Sequence, residues 1–578
     1  MKMNYFKSEE LKEKPKAPWS KYYKEGDMNL NIPSTSMYKY LENKMLKFLD
    51  SYCFDYYGHK IKYNELLKMI DNCAKGFYNA GVRKGEIVTV CVPTTIEGVI
   101  SFLATNKLGA IVNFIHPSSS ENEIKTSLKE TNSKVLVLLD LNYIKIRNAI
   151  KDTNVNKVVL VDLCVYMPLV TKIRYSIKEK MKITFSKEDS LYVWWDEFIS
   201  RGEKYQISEY VCNGDKNDPA MILHSGGTTG TPKGIVLSNS NLIAYVEALK
   251  TSQDYLEPGD TILALMPIFH GFGIMYSIIL PLSMGMFVVL RPKFNAKDYC
   301  KMIIKYKPQV LPGVPSLIEA LLREWPKPKA DLSFIKCIII GGDLLKPSLK
   351  KRIDDFLKQH GATVGITQGY GLSEAVCGVT LGIREVERSG TVGIPSPGIY
   401  IGIFSKDDEE VPYGNEGEIC VCGPTVMLGY YNNIEETNMV LHLHKDGNIW
   451  LHTGDLGSMD EDGFITYTNR LKRIIISSGY NVYPNQIEKL FENHPAVRSC
   501  AVVGIPHKYK IEVPKAFIVL NEGFEKNELL IMELKKLCIK NLPKYSWPYE
   551  YEVIENLPTT RAGKVDFRKL QDMAKRND

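Results

Sequence analysis

Residues His224 to Gly234 read HSGGTTGTPKG. Three glycines, three threonines and a serine run into Pro232-Lys233-Gly234, giving many approachable backbone N–H groups, several hydroxyls and one ammonium. Such a loop suits phosphate, because glycine allows the backbone to come close and take up positive φ while hydroxyls add hydrogen bonds or reach a metal. The loop lies between two apolar strand-like runs, Ala220 to Leu223 and Ile235 to Leu237. It is not the GxxxxGK[ST] loop of nucleoside triphosphatases, in which the lysine directly follows a glycine; Lys233 stands between Pro232 and Gly234. Taken alone, the competing reading is a solvated turn, since Gly, Thr and Ser cluster in turns.

Bulk properties bound the rest. With 578 residues the chain exceeds one core and implies at least two domains. A formal charge of +6, carried mostly by scattered lysines, reads as solvated surface and gives no footprint for nucleic acid. Twelve cysteines without a CxxC predict reduced, mostly buried thiols of a cytoplasmic protein, with neither a disulfide frame nor a zinc site. The start, MKMNYFKSEELKEK, has no apolar signal-peptide core. Gly271 to Leu290 is uncharged and long enough to cross a bilayer, but Pro281 and Gly285 divide it, which predicts a buried helix and a core strand.

Along the chain, Tyr63 to Ala80 has the spacing of an amphipathic helix, GVRKGEIVTVCVP at 81–93 reads as a Gly-containing turn feeding a strand, Ile96 to Leu108 as a helix and GAIVNFIHP at 109–117 as a buried strand. This alternation predicts an α/β fold with parallel sheets flanked by helices. Tyr166 to Lys182 repeats apolar residues every four positions with basic residues between them. That pattern predicts a surface helix, with peripheral contact to an anionic membrane as the alternative. His270, in Met266 to Ile274 (MPIFHGFGI), lies among small and aromatic residues, where a lone histidine is usually a core residue. Ile338 to Leu345 ends a strand on Gly341, Gly342 and Asp343. Gly365 to Ala375 (GITQGYGLSEA) sets Gln368, Gly369, Tyr370 and Gly371 before Ser373 and Glu374: a stacking face between glycines, then a hard oxygen ligand.

Together with Thr453-Gly454-Asp455, Asn469 to Glu488 (NRLKRIIISSGYNVYPNQIE) and the closing residues 557–570 (LPTTRAGKVDFRKL), these stretches resemble the adenylate-forming superfamily of acyl-CoA synthetases, aryl-CoA ligases, luciferases and peptide-synthetase adenylation domains. The resemblance implies an N-terminal domain, 1–471, with ATP and acyl pockets and a small β-barrel-like subdomain, followed by a mobile α+β domain, 472–578. It implies that Ser225, Gly226, Gly227, Thr228, Thr229, Gly230, Lys233, Gly341, Gly342, Asp343, Gln368, Gly369, Tyr370, Gly371 and Ser373 bind the nucleotide, with Thr228, Thr229 and Lys233 near the departing pyrophosphate and the 365–375 stretch at adenine and the α-phosphate. Glu374 and Thr228 would bind Mg2+, Asp455 and Arg470 the ribose. Lys472 would be the hinge, Gly479 would line the thiol passage, and Lys564 would be the mobile catalytic lysine. His270 would join Glu374 and Lys564 at the catalytic site by lining the acyl pocket.

Amino-acid-activating relatives carry an aspartate where this chain has His270, so the expected substrate is not an amino acid. The expected reaction joins a carboxylic acid, a medium- or long-chain fatty acid foremost, to coenzyme A through an acyl-adenylate. Aryl acids and a separate acyl carrier protein as acceptor are the alternatives, and a non-catalytic nucleotide- or acyl-binding scaffold is the reading from another class.

Overall fold

The computed structural model describes residues 11–168, 190–205, 214–224, 233–325, 330–343, 345–383, 386–477, 480–507, 509–560 and 564–575. Residues Ser225, Gly226, Gly227, Thr228, Thr229, Gly230 and Gly479, and the segment Tyr166 to Lys182 from position 169 onward, lie outside the described residues.

Two sheets organise the first compact unit, which comprises Met1–Ile401, Val421–Leu451 and Asp462–Phe464. The seven-stranded sheet runs, in spatial order, Ile366–Gln368, Cys337–Ile340, Val310–Gly313, Thr261–Ala264, Phe287–Leu290, Tyr52–Tyr56 and His59–Lys62, and is parallel up to its closing hairpin. The eight-stranded sheet runs Gly429–Tyr430, Gly234–Ser238, Pro219–His224, Ile111–Phe114, Ile87–Cys91, Val135–Leu139, Lys157–Val161 and Tyr192–Trp194. Its strands are parallel from Pro219–His224 onward and antiparallel on the Gly234 side. IVTVC at 87–91 and VLVLL at 135–139 are buried throughout, as expected of parallel strands covered on both faces.

Local rules set the helices. Tyr63–Asn79 buries Leu66, Ile70, Cys73, Ala74 and Phe77 on one face, and Glu65 accepts from the Lys62 N–H at 2.8 Å. It ends at Gly81, whose φ of +88° lets the Val82 N–H turn back to the Phe77 carbonyl at 3.0 Å. Ile96–Lys107 starts at Thr95, whose hydroxyl accepts from the Gly98 N–H at 3.3 Å. The uncharged run from Gly271 gives a helical piece and a strand as its sequence suggests, but the helix, Phe272–Ile279 continued by Leu280–Ser283, passes through Pro281 and the division from the strand Phe287–Leu290 falls at Gly285. Phe272–Ile279 is wound as a π-helix, which periodicity does not reveal. Among the described residues no helix is long and apolar enough to cross a membrane.

Glu97, in the first turn of Ile96–Lys107, is fully buried and neither carboxylate oxygen has a hydrogen-bond partner. Burial pushes its pKa from the ordinary 4.5 up to about 7. The folded-state value lies above the unfolded one, so stability is fully present below about pH 4.5 and is lost as pH rises through 7, by on the order of 3 kcal/mol. Glu97→Gln should therefore melt higher than the parent at pH 8 and equally at pH 4, measured by thermal unfolding. An equal offset at both pH values would show that the carboxyl does not titrate as stated.

The second compact unit comprises Gly402–Cys420, His452–Glu461 and Ile465–Asp578. Its long hairpin, Val497–His507 with Ile511–Leu520, pairs with Ile475–Ser477 and, in parallel, with Glu550–Val553. Helices Pro484–Glu492 and Glu528–Asn541 contribute Ile487, Phe491, Leu530 and Leu534 to one core. Phe567–Lys575 contributes Leu570 and Ala574 to another. Lys515, only 2% exposed, is held by Glu550 at 2.8 Å and Glu552 at 3.1 Å. Each of the eleven described cysteines is free, and ten are buried.

Candidate active site

In the first unit, several expected residues gather at carboxyl ends of parallel strands, where open α/β sheets place their ligands. Gly341, Gly342 and Asp343 follow Cys337–Ile340, and Gly369, Tyr370 and Gly371 follow the adjacent Ile366–Gln368. The Gly369 N–H donates to the Ile340 carbonyl at 2.9 Å, and Gly342 adopts φ +78° to turn the chain out of the strand. A Cβ on Gly341 would lie 3.7 Å from the Gly369 carbonyl and 3.8 Å from the Phe272 ring, ordinary contact distances at which the three segments meet.

Residues 371–378 form a tight loop. Gly371 and Gly378 bridge in antiparallel fashion, the Leu372 N–H donates to the Cys377 carbonyl at 2.8 Å, and Ser373–Ala375 makes a single 3-10 turn. A side chain on Gly371 would collide with the Cys377 carbonyl. Tyr370 is anchored on the opposite side: its N–H donates to the Thr380 hydroxyl at 3.0 Å and its carbonyl accepts from the Val379 N–H at 2.8 Å.

The loop presents the half-buried Glu374, whose Oε1 accepts from the Tyr430 hydroxyl at 3.0 Å. Tyr430 lies on an edge strand that pairs with Gly234–Ser238, bringing Lys233 beside it. The Lys233 ammonium stands over the Tyr430 ring, 5.0 Å from its centroid, and pairs with the Glu436 carboxylate. Thus Lys233 and Glu374, from different sheets, are joined through one tyrosine. Tyr430 and Glu436 were not singled out from the sequence. GYYNNIEET, which holds both, reads as a short β piece with no residue type that stands out.

His224 ends strand Pro219–His224, and its Nε2 is 2.8 Å from Asn113 Oδ1. Burial lowers its pKa to about 4, so the ring is neutral at pH 7.

His270 lies in the bend between Thr261–Ala264 and the π-helix, and its carbonyl accepts from the Gly273 and Ile274 N–H groups at 3.0 Å. Its ring centroid is 4.9 Å from that of Phe269, which is in turn 4.4 Å from His116. Side chains on Gly271 and Gly273 would strike the carbonyls of Val376 and Pro267. Backbone packing accounts for both glycines.

In the second unit, Asp455 and Arg470 face each other across antiparallel strands, Arg470 Nε lying 3.2 Å from Asp455 Oδ1. Asp455 is nearly buried while Arg470 is half exposed, so this pair presents a fixed carboxylate with an accessible cation beside it. Glu418 braces the turn: its two oxygens accept from the Gly454 N–H at 2.7 Å and meet His452 Nδ1 at 2.8 Å. Lys472 lies on the 3-10 turn Leu471–Arg473. Lys564 is exposed, its carbonyl accepting from the Thr560 N–H at 2.7 Å where Thr559 bridges Val565.

Comparison with known proteins gives this arrangement a family. Residues 41–431 match the AMP-binding enzyme family and residues 486–564 the AMP-binding enzyme C-terminal domain. The long-chain-fatty-acid–CoA ligase of Bacillus subtilis (strain 168) is 31% identical over 559 residues, which cover 96% of this chain and 97% of the relative. The probable 4-coumarate–CoA ligase 1 of Dictyostelium discoideum is 32% identical over 516 residues, covering 87% and 88%. Among solved structures, ATP-bound MatB from Rhodopseudomonas palustris has a TM-score of 0.80 at 22% identity, covering 94% of this chain and 99% of that one. An anthranilate CoA ligase in complex with anthranoyl-AMP has a TM-score of 0.79 at 23% identity, covering 95% and 99%. The two structural likenesses speak for the fold, a large α/β domain followed by a smaller one. With family matches at both ends and relatives aligned along nearly its whole length, the chain belongs to the AMP-binding enzyme family and is an AMP-forming acyl-CoA ligase.

Proposed function

We propose that the acid activated is a medium- or long-chain fatty acid, joined to coenzyme A with release of AMP and pyrophosphate. The observation that carries this reading is the uncharged, largely apolar run that follows His270. From Gly271 to Leu290 the chain has no charge, and Ile274, Met275, Tyr276, Ile278 and Ile279 are all buried. Lining an acyl pocket, such a run would offer no cation for a second carboxylate and no anion for an amino group. The 4-coumarate and anthranilate ligases among its likenesses keep aryl acids as the second reading.

A carboxylate lacks a good leaving group, and attack on the α-phosphorus of ATP supplies one in AMP. The chain's part is positioning and charge compensation. Lys233 meets the departing pyrophosphate, exchanging Glu436 for phosphate oxygens. Glu374, half-buried and steadied by Tyr430, is an oxygen donor suited to Mg2+, with Thr228 as its partner. Bound there, the metal would neutralise charge on the phosphates. Gly341 to Asp343 and Gln368 to Gly371, with Ser373, hold adenine and the α-phosphate, and Asp455 with Arg470 the ribose. Lys564 bridges carboxylate and α-phosphate. The domain 472–578 then turns about Lys472, withdrawing Lys564 so that the thiol can pass Gly479.

The test is pyrophosphate release on adding ATP, magnesium and a panel of straight-chain, aryl and amino acids, followed by mass spectrometry of the thioester with coenzyme A. Turnover confined to aryl acids would overturn the fatty-acid assignment, and a thioester formed only on added acyl carrier protein would overturn the acceptor. Silence across the panel would favour a binding scaffold. In the same assay Tyr430→Phe should lower kcat about tenfold, since a hydrogen bond to a charged carboxylate is worth about 1.5–3 kcal/mol. An unchanged kcat would remove Tyr430 from the site.

A further inference from the structure

Seven described non-glycine residues have positive φ, and only Val376 and Ile511 among them are β-branched. Val376 has φ +70° and ψ −57°, and the Cys377 N–H donates across it to the Ala375 carbonyl at 2.8 Å. These are the dihedrals and the i to i+2 hydrogen bond of the strained form of γ-turn, which a branched Cβ makes costlier still. The side chain is fully buried, so the turn cannot relax without giving up its packing. Strain of this kind persists only where surrounding structure holds it, and it is found at functional sites.

Its two ends touch different parts of the site. On one side the turn directly follows Ser373–Ala375, the single turn that carries Glu374, and the Val376 N–H donates back to the Ser373 carbonyl at 3.1 Å. The Glu374 carbonyl is fixed in turn by the Met427 N–H at 2.8 Å. On the other side the Val376 carbonyl lies so close to Gly271 that any Cβ there would strike it, and the Cys377 Cβ would be 3.2 Å away. Gly271 begins the π-helix immediately after His270. π-helical turns likewise concentrate at functional positions.

We propose that Val376 is a positioning residue that mechanically couples the acyl-side bend at His270–Gly271 to the carboxylate of Glu374. The proposal rests on the adenylate-forming reading of the site. A displacement at Gly271 is passed through the Val376 carbonyl to the turn that carries Glu374, so occupancy on the acyl side sets how well the nucleotide side is aligned. The strained turn makes the link stiff: its hydrogen bonds and the buried valine leave it little slack.

The test uses the full-length chain and reads binding as well as rate. Affinity for ATP with magnesium is measured by calorimetry in the absence of acid, and kcat per active site by single-turnover pyrophosphate release, with thermal melts to verify folding. Gly271→Ala lies on the acyl side, yet it should weaken ATP–magnesium binding about tenfold, a coupling of the usual size for residues in contact. Adding Val376→Gly to it frees the turn to yield and should restore at least half of the lost affinity on a logarithmic scale. Should Gly271→Ala not fold, Val376→Gly alone gives the same answer from the other side: it should alter both ATP–magnesium affinity and the KM for the acid by about three- to tenfold.

Gly271→Ala changing only the acid's KM, or the two substitutions acting as independent factors, would overturn the coupling. So would Val376→Gly leaving both parameters within twofold of the parent. An absence of ATP binding and pyrophosphate release in the parent protein would instead defeat the reading of the site on which the coupling rests.

Discussion

Lys564→Ala is expected to reduce adenylation by about a thousandfold, the upper range for removing one preorganised charge from a site of developing charge. The lysine is exposed beside the bridge of Thr559 with Val565, and its carbonyl accepts from the Thr560 N–H at 2.7 Å. Such a group contributes only while it stands between the incoming carboxylate and the α-phosphate, so its loss should spare the second step. Thioester formation from supplied acyl-adenylate and coenzyme A should therefore stay within a few-fold of the parent. ATP–pyrophosphate exchange and a coupled thiol assay check the two halves. Comparable loss in both would deny the lysine a step-specific role.

Asp455→Ala comes next in size. A carboxylate that accepts two ribose hydroxyls supplies two charge-assisted hydrogen bonds, each worth about 1.5–3 kcal/mol, so the KM for ATP should rise about a hundredfold. The substitution also leaves Arg470, 3.2 Å from the missing carboxylate, without that partner. Comparing ATP with 2′-deoxy-ATP separates the two effects. The parent enzyme should discriminate strongly, whereas the variant should not. Discrimination that survives the substitution would mean that another group reads the ribose.

How much of this was legible beforehand depends on the range of the interaction. The helix expected over Tyr63 to Ala80 is observed over Tyr63–Asn79, because its apolar spacing and terminal glycine act locally. The division of the uncharged run into helix and strand at Gly285 was readable for the same reason. The π-helical winding of Phe272–Ile279 was not, since a segment buried on nearly all sides has no polar face from which to read its period. Contacts between distant segments were equally invisible. Tyr430 reaches Glu374 across 56 positions and Lys233 meets Glu436 across 203, and neither partner has a local pattern that marks it. The strain at Val376 also escapes sequence reading, because valine is a residue that φ statistics would exclude from that turn.

The free cysteines have a chemical consequence for an enzyme that makes an acyl-adenylate. That intermediate would acylate any thiolate within reach, including the protein's own. Burial pushes the Cys300, Cys377 and Cys538 thiols up to about 11 and Cys422 to about 12, leaving each overwhelmingly protonated at neutral pH. An activated acyl group held in such a molecule meets few internal competitors for the incoming acceptor, so protection from self-modification is built into the core itself.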